Sequence, residues 1–371
     1  MDTDAVDLIL AFQDDSGRKA LDSIDIILAL EGEDDEDVAV ADFILNTKNR
    51  VYHYLEKEPG TFNLADLGDS YCHTHFRFYK DDITRLISAL GIPNQISLDT
   101  RVKVSGEEAL CILLHRLSYP KRYADQMKFF PRGRSALSGI FNFMVDFISK
   151  GKGRLLKSFD HTFLSQDKIE ELCSSIAAMG SPYKRCFGFI DGTVRAVCRP
   201  IDDQREFYNG HKRVHSIKYQ SIMLPNGIIF NMFGSVVGRR HDGHMLARSK
   251  TVAKLERKFR GWENPPHLYG DAGYPLSKEL IVPFKGRLTK KQQTVNKRMS
   301  RLRVSVEWGF AKIIQLFPFV DFKKKLRIRH EKVPDFYKVA TILANCHTCL
   351  YGSQVCQYFE MEPPTLEEYL N

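Results

Sequence analysis

The stretch Cys186-Phe-Gly-Phe-Ile-Asp-Gly192 decides the fold class, because it is a short apolar run closed by a turn pair. Runs of this length between turn residues are typical of buried β-strands. Asp191 and Gly192 therefore mark the end of a predicted strand. In the residues that follow, further strand-like apolar runs alternate with segments of helical periodicity. This order predicts an α/β chain.

A hairpin and a further strand come next. Apolar segments at 215–224 and 228–237 flank Pro225-Asn-Gly227, and Asn-Gly between two apolar runs is the strongest short hairpin signal. A fourth strand is predicted at 267–270, directly before Asp271. Together with the first run, these segments predict a mixed sheet.

Helices are predicted around these strands. One covers 241–259, one opens at the capping-box sequence Thr289-Lys-Lys-Gln292, and a last one covers 334–350. The buried stripe of the second helix is predicted to be Leu302, Val306, Phe310, Ile313 and Phe317. The order of three strands, a helix, a strand and a helix favours a mixed sheet flanked by helices.

A helical region precedes the sheet. A helix is predicted after the capping-box sequence Ser105-Gly-Glu-Glu108, a short one at 123–129, and a longer one at 137–148. This order is that of a helix-turn-helix unit, in which Arg132 and Arg134 would touch phosphates. A helical bundle that merely packs on the next domain remains the alternative.

The chain is long enough for one or two ordinary cores, with 371 residues of which 43% are hydrophobic. No apolar run approaches the roughly 18 residues of a membrane helix, and the eight cysteines are scattered, so we expect a soluble intracellular chain with reduced thiols and no membrane partner. The predicted organisation is an acidic, disordered tail (1–45), a helical, helix-turn-helix-like region (46–165), a catalytic domain (166–350) and a C-terminal tail (351–371).

Charge is distributed unevenly along the chain. Residues 1–40 carry thirteen Asp or Glu against Arg18 and Lys19, so the remainder is more basic than the net charge of +8 suggests. Residues 285–330 hold fourteen Lys or Arg against two acids. A basic body of this kind indicates a polyanionic partner, although a charge run can also be a solvated face.

Three acids stand at positions where chemistry is expected. Asp191 and Asp271 end apolar strands, and Glu307 lies at the edge of a buried helical stripe. Taken singly, the two aspartates could serve turns and Glu307 could pair with Arg303 on its own helix. Taken together, converging carboxylates favour divalent cations, and oxygen-only ligands select Mg²⁺ or Mn²⁺. Two such ions form the clamp used in phosphodiester cleavage.

The blocks around these acids resemble the PIF/Harbinger group of transposases and transposase-derived nucleases, members of the DDE superfamily of endonucleases. The resemblance rests on Asp191-Gly-Thr193, Gly270-Asp-Ala-Gly-Tyr-Pro275 and Arg303-Val-Ser-Val-Glu-Trp-Gly-Phe310. Phe207-Tyr-Asn-Gly210 and Arg240-His-Asp242 extend it over roughly 183–320. Ala272, Gly243 and Trp308 depart from the usual pattern without removing a metal ligand.

The resemblance implies an RNase H-like fold and a metal-dependent DNA endonuclease or transposase. Its D-D-E triad would be Asp191, Asp271 and Glu307, holding two Mg²⁺ or Mn²⁺ ions, with Asp242 as an accessory metal ligand. The family further implies DNA as substrate, a nuclear location and a Myb-like DNA-binding partner protein. The oligomeric state stays open, with a homo-oligomer as one option.

Candidate DNA contacts lie in three places. Arg298, Arg301 and Arg303 are within about 14 Å of Glu307 along a helix, and Arg132 and Arg134 belong to the helical region. A third set is a phosphate-contacting strip or nuclear localisation signal made of Lys323, Lys324, Lys325, Arg327 and Arg329. The alternative functions are a domesticated descendant that binds DNA or protein without cutting, and another RNase H-like enzyme acting on RNA or on ends.

Overall fold

Residues 62–371 are described by a computed structural model of the chain. The predicted acidic tail and the first residues of the helical region lie outside them. The helices in chain order are α1 Asp69–Phe76, α2 Lys80–Leu90, α3 Gly106–Ser118, α4 Tyr123–Gln126, α5 Arg134–Lys152, α6 Gln166–Ala178, α7 Gln204–Phe207, α8 Asp242–Ser249, α9 Thr251–Lys258, α10 Lys290–Leu316, α11 Val333–Tyr351, α12 Gln354–Phe359 and α13 Leu366–Leu370.

The strands form a small hairpin and one larger mixed sheet. In chain order they are β1 Gln95–Ser97, β2 Lys103–Ser105, β3 Cys186–Ala196, β4 Tyr208–Asn209, β5 Val214–Met223, β6 Ile229–Val237, β7 His267–Tyr269 and β8 Leu280–Ile281. Short 3-10 helices lie at Leu64–Asp66, Gly153–Leu156, Pro318–Asp321 and Lys323–Lys325.

The larger sheet is centred on β3. On one side β3 pairs antiparallel with β5, which pairs antiparallel with both β4 and β6. On the other side β3 pairs parallel with β7, and β7 pairs parallel with β8. The predicted mixed α/β class is therefore confirmed, and a mixed sheet flanked by helices fits an RNase H-like fold.

Helices cover both faces of this sheet. Tyr219 of β5 belongs to a buried cluster with residues of α10 and α11, whereas Ile222 belongs to a second cluster with residues of α6, α8 and α9. The alternation follows from the two-residue period of a strand. Leu110 of α3 lies in the first cluster, so the helical region and the sheet share a core. The predicted boundary between residues 165 and 166 stays a prediction.

The turn and cap signals of the sequence have structural counterparts. The backbone of Gly227 donates to Leu224 and that of Leu224 to Ile228, which closes the β5–β6 hairpin. Thr289 and Gln292 form the reciprocal capping box at the start of α10. Asn345 of α11 bonds both backbone groups of Ile229 at 3.0 and 2.9 Å, so α11 is tied to the hairpin.

Two expectations need correction. The predicted helix over 241–259 is two helices, because Lys250 adopts a left-handed backbone with a φ of 53° between α8 and α9. Residues 351–371, expected to be a tail, contain α12 and α13. Leu366, Tyr369 and Leu370 are buried, and the Tyr369 hydroxyl accepts a 2.9 Å hydrogen bond from Asn345. These residues are therefore part of the core.

Helices α3, α4 and α5 follow one another in the order expected of a helix-turn-helix unit. Almost all of α3 is buried, and α5 buries a stripe that includes Leu137, Ile140 and Met144. Whether this unit contacts DNA stays a prediction. Over residues 62–371, no helix combines the length and the apolar character that crossing a bilayer requires.

Candidate active site

Asp191 and Asp271 are brought to the same level of the sheet. Phe189 of β3 is the parallel partner of Tyr269 of β7, and each aspartate lies two residues beyond its member of this pair. The predicted strand end at Asp191 is wrong, because β3 continues to Ala196 through its pairing with β5. Asp191 therefore lies within β3, whereas Asp271 follows the carboxyl end of β7, the kind of position where α/β proteins bind ligands. The parallel register of the two strands explains why the acids meet.

Asp191 is a largely buried carboxylate with both oxygens engaged. Its side chain is 15% exposed. Oδ1 accepts a 2.8 Å hydrogen bond from the backbone of Gly192, and Oδ2 accepts one from the guanidinium of Arg303. The pKa of Asp191 is raised to about 6, chiefly by burial and to a smaller extent by the charges of Asp271 and Glu307, while Arg303 and the Gly192 N–H oppose the shift.

Glu307 approaches this carboxylate from the helical side. It lies on α10, one residue after the buried Val306, and its side chain is 55% exposed. Nη2 of Arg303, one turn earlier, lies 3.4 Å from Oε1 of Glu307. The same guanidinium therefore bridges Glu307 and Asp191, which joins the helix to the sheet.

Asp242 lies beside the other two aspartates. A Cβ built on Gly273 would be 2.9 Å from Oδ1 of Asp271 and 3.6 Å from Oδ2 of Asp242, while one built on Gly192 would be 2.9 Å from Oδ1 of Asp242. Glycine at these two positions thus leaves room for the carboxylates. Asp242, the first residue of α8, therefore lies next to β3 and to the loop after β7.

One oxygen of Asp242 is engaged by a buried lysine. Nζ of Lys218 on β5 donates to Oδ1 of Asp242 at 2.7 Å and to the backbone oxygen of Arg240 at 2.9 Å. Lys218 is 7% exposed, so the pair is strongly fixed. An ion pair therefore fixes Asp242 against the sheet.

Lys218 and Tyr274 are the site residues that sequence reasoning missed. A lysine inside the apolar segment 215–224 was an available signal, since a buried ammonium needs an acidic partner. Tyr274 is 1% exposed, and its hydroxyl has no hydrogen-bond partner among residues 62–371. Burial raises the pKa of Tyr274, and so do the charges of Asp242, Asp191 and Asp271. Its hydroxyl therefore lies within the field of three carboxylates.

The donor set suits a hard divalent cation in its chemistry. Asp191, Asp242, Asp271 and Glu307 supply carboxylate oxygens, and the orphaned Tyr274 hydroxyl lies beside them, which matches the oxygen ligands that Mg²⁺ and Mn²⁺ prefer. As the side chains stand, no group of three or more Asp, Glu, His or Cys within 62–371 is spaced to hold a metal ion. The Arg303 guanidinium lies between two of the four acids.

The predicted DNA contacts divide by their surroundings. Arg298 and Arg301 are exposed on α10, in agreement with a solvent-facing strip. Arg303 does not share this setting, because its guanidinium is held by Asp191 and Glu307.

The strip at 323–329 divides in the same way. Lys323, Lys324 and Arg327 are exposed. Nζ of Lys325 donates to the backbone oxygens of Pro120 and Lys121 at 3.2 and 2.8 Å, and Arg329 forms ion pairs with Asp202 and Asp203. The backbone of Cys198 donates to Leu326, so the strip runs beside the far end of β3.

Arg132 and Arg134 have different environments. Arg134 is exposed at the start of α5. Arg132 makes two 2.6 Å hydrogen bonds to the carboxylate of Glu108, whose side chain is 7% exposed, and one to the backbone of Lys103. Arg132 is thus engaged in an internal ion pair.

The segment that carries all four acids matches a family model. Residues 190–345 match the model described as DDE superfamily endonuclease. This DDE segment begins inside β3, just before Asp191, and ends at Asn345 of α11, the residue that clamps the hairpin. The match supports the superfamily over less than half of the chain. No curated protein and no solved structure matches the chain.

The match to DDE endonucleases supports a nuclease or transposase as the class of enzyme and DNA as its substrate. Sequence and structure agree on the segment concerned, since most of β3, strands β4 to β8 and helices α7 to α10 lie within it.

Proposed function

We propose that this chain is a divalent-metal-dependent DNA endonuclease or transposase of the PIF/Harbinger type, with Asp191, Asp271 and Glu307 as its catalytic acids. The observation that carries the proposal is that these three charges lie close together where β3 pairs with β7, inside the segment similar to DDE endonucleases. Carboxylate charges that converge in this way are expected where cations are to be bound.

In this function Asp191 and Asp271 would hold two Mg²⁺ or Mn²⁺ ions from the sheet, and Glu307 would hold one of them from the helix. Such ions activate a water or hydroxyl and stabilise the leaving oxygen in phosphodiester cleavage. Lys218 fixes Asp242 against the sheet, so that its second oxygen can serve as an accessory ligand. The exposed Arg298 and Arg301 would contact the phosphates that lead into the site.

The basic surface of the chain bears on its cellular location and on its partner. A basic body with exposed Lys323, Lys324 and Arg327 supports a phosphate-contacting strip or a nuclear localisation signal. We extend the proposal to a nuclear location and to a Myb-like partner that selects the DNA site. Fusion of residues 320–331 to a fluorescent protein tests the signal, and exclusion from the nucleus would contradict it.

Plasmid nicking tests the nuclease. The purified chain is incubated with supercoiled DNA in Mg²⁺, Mn²⁺ or EDTA, next to Asp271→Asn and the exposed control Asp160→Asn. We expect nicking with either metal, none in EDTA, a loss of at least about 100-fold in Asp271→Asn and an unchanged rate in Asp160→Asn. Nicking that persists in EDTA or in Asp271→Asn would contradict the proposed site.

A domesticated chain that binds DNA or protein without cutting is the second candidate. It is favoured by one observation, that no group of three potential ligands within 62–371 is spaced for a metal ion. The wild-type chain would then bind DNA with a steep salt dependence and fail to nick in every metal. This outcome would replace the nuclease proposal.

A further inference from the structure

Arg303 occupies the position where a cation is needed between two of the proposed catalytic acids. Its Nη1 donates to Oδ2 of Asp191, and its Nη2 lies 3.4 Å from Oε1 of Glu307. The Arg303 and Asp191 side chains are 20% and 15% exposed. The guanidinium is thus a largely buried positive charge that links strand β3 to helix α10.

The Arg303–Asp191 contact is more than a helix surface pair. An Arg and a Glu four residues apart on a helix commonly contact one another, and such an exposed pair adds little stability. The contact with Asp191 instead joins residues separated by 112 positions and is partly buried. A planar guanidinium with five donors in a fixed fork can bridge two carboxylates, which the ammonium of a lysine does less well.

The oxygens that Arg303 engages are those that a metal ion would need. Oδ1 of Asp191 accepts from the Gly192 backbone, and Oδ2 accepts from Arg303. A divalent ion that is to join Asp191 and Glu307 must therefore take the place of the guanidinium. Both cannot bind the same oxygen lone pairs from the same side, so their binding is competitive.

We propose that Arg303 is an internal counterion that is exchanged for divalent metal. Without metal it neutralises Asp191 and Glu307 and keeps α10 against the sheet. With Asp191 and Glu307 bound to metal, the Arg303 guanidinium would be free to contact a DNA phosphate at the edge of the site. This inference rests on the proposed function, because it assumes that the same acids bind metal.

The exchange predicts a coupling between metal and DNA. The metal frees an arginine for the phosphate, and DNA holds that arginine away from the carboxylates, so each ligand tightens the binding of the other by the same factor. Arg303 is in this sense a positioning residue for the acids and a phosphate contact only in the metal-bound form.

Metal affinity without DNA is the first test. Mn²⁺ binding is measured by the loss of its free electron paramagnetic resonance signal in the full chain, in Arg303→Met and in Arg257→Met, an exposed control on α9. We expect Arg303→Met to bind Mn²⁺ about ten-fold more tightly, because the competing cation is gone, and Arg257→Met to match the wild type within about two-fold. Equal or weaker binding in a folded Arg303→Met would overturn the exchange.

The coupling supplies a second test that does not depend on cleavage. The affinity for a short duplex is compared with and without Ca²⁺ in the wild type and in Arg303→Met. We expect Ca²⁺ to tighten DNA binding more in the wild type than in the variant, because only the wild type has a guanidinium to release. An equal effect of Ca²⁺ on the two proteins would contradict the coupling.

Two controls keep the tests decisive. Thermal unfolding establishes that the variants are folded, and Arg303→Lys, which keeps a charge without the fork, replaces Arg303→Met if the latter does not fold; we then expect an intermediate Mn²⁺ affinity. A wild type that binds Mn²⁺ competitively but never nicks would overturn the proposed nuclease and leave the exchange standing. A wild type that nicks while Arg303→Met binds Mn²⁺ no more tightly would overturn the exchange alone.

Discussion

Asp191 and Asp271 stand in parallel register, each two residues beyond the backbone pair that joins β3 to β7. Their relative position is thus set by the hydrogen bonding of the sheet. Glu307 comes from a helix instead and is more than half exposed. The three acids consequently differ in how they respond to substitution.

Replacing Glu307 by Gln should abolish cutting without unfolding the chain. The change keeps the shape of the side chain and removes the charge that a metal ion requires. We expect a loss of metal-dependent nicking of at least about 100-fold, with a melting temperature within about 2 °C of the wild type because the side chain is exposed. Glu256→Gln, exposed on α9, is the matched control for both measurements.

The stability of the chain should depend on pH through Asp191. Its pKa is raised to about 6 in the folded state, so folding favours the protonated carboxyl. This contribution is fully present below about pH 4 and is lost as the pH rises through 6. We expect Asp191→Asn to be more stable than the wild type by about 1 to 2 kcal/mol at pH 7.5 and by little at pH 4.5. Urea unfolding at the two pH values measures the difference, and a gap that does not change with pH would contradict it.

Arg132 should contribute to stability, whereas Arg134 should contribute little. Arg132→Met leaves the buried carboxylate of Glu108 without its partner, and we expect a loss of about 3 kcal/mol in the free energy of unfolding. Arg134→Met should change it by less than about 0.5 kcal/mol. In the double variant with Glu108→Gln, part of the loss should be recovered, and additive losses would argue against the pair.

The exposed basic strip should govern the salt dependence of DNA binding. Changing Lys323, Lys324 and Arg327 together to Ala removes up to three phosphate contacts. We expect the slope of log affinity against log salt to fall by up to about 3. Lys325→Ala is the control, since its ammonium is engaged by two backbone oxygens; a slope that falls as much in this variant would place the contact elsewhere.

Removal of residues 365–371 should destabilise the core. The deletion exposes the surfaces covered by Leu366, Tyr369 and Leu370, and each buried side chain of this size is worth roughly 1.5 to 3 kcal/mol. We expect a loss of about 5 kcal/mol in the free energy of unfolding, measured by chemical denaturation. Glu362→Gln, in the segment before the deletion, should be neutral, and an unchanged stability of the truncated chain would refute the packing.

Sequence reasoning was most effective where local signals decide the structure. The apolar run before Asp191, the Asn226-Gly227 turn and the Thr289–Gln292 capping box each predicted an element that the structure contains. The two-residue strands β4 and β8 were missed, because so few residues carry no periodicity. The break at Lys250 was missed as well, since nothing in its side chain requires a left-handed backbone.

The tertiary parts of the site could not be predicted in the same way. The sequence indicated that Glu307 needs a partner and offered Arg303 or a metal ion, but the bridge from Arg303 to Asp191 depends on how α10 packs on the sheet. Lys218 was overlooked because the segment around it is mainly apolar and was interpreted only as a strand. Tyr274 was part of a quoted block, and its buried hydroxyl becomes visible only when the carboxylates around it are placed.

The two-sided pairing of β3 divides the site into a fixed and an adjustable part. Backbone amides of a central strand exchange with solvent only through openings that approach global unfolding, so the aspartate at position 191 is as immobile as the core itself. The glutamate is carried by a helix that can slide or rotate without breaking a sheet hydrogen bond. Changes in substrate or metal geometry are therefore accommodated by movement of α10. Substitutions on α10 can alter the site while the strands keep their positions.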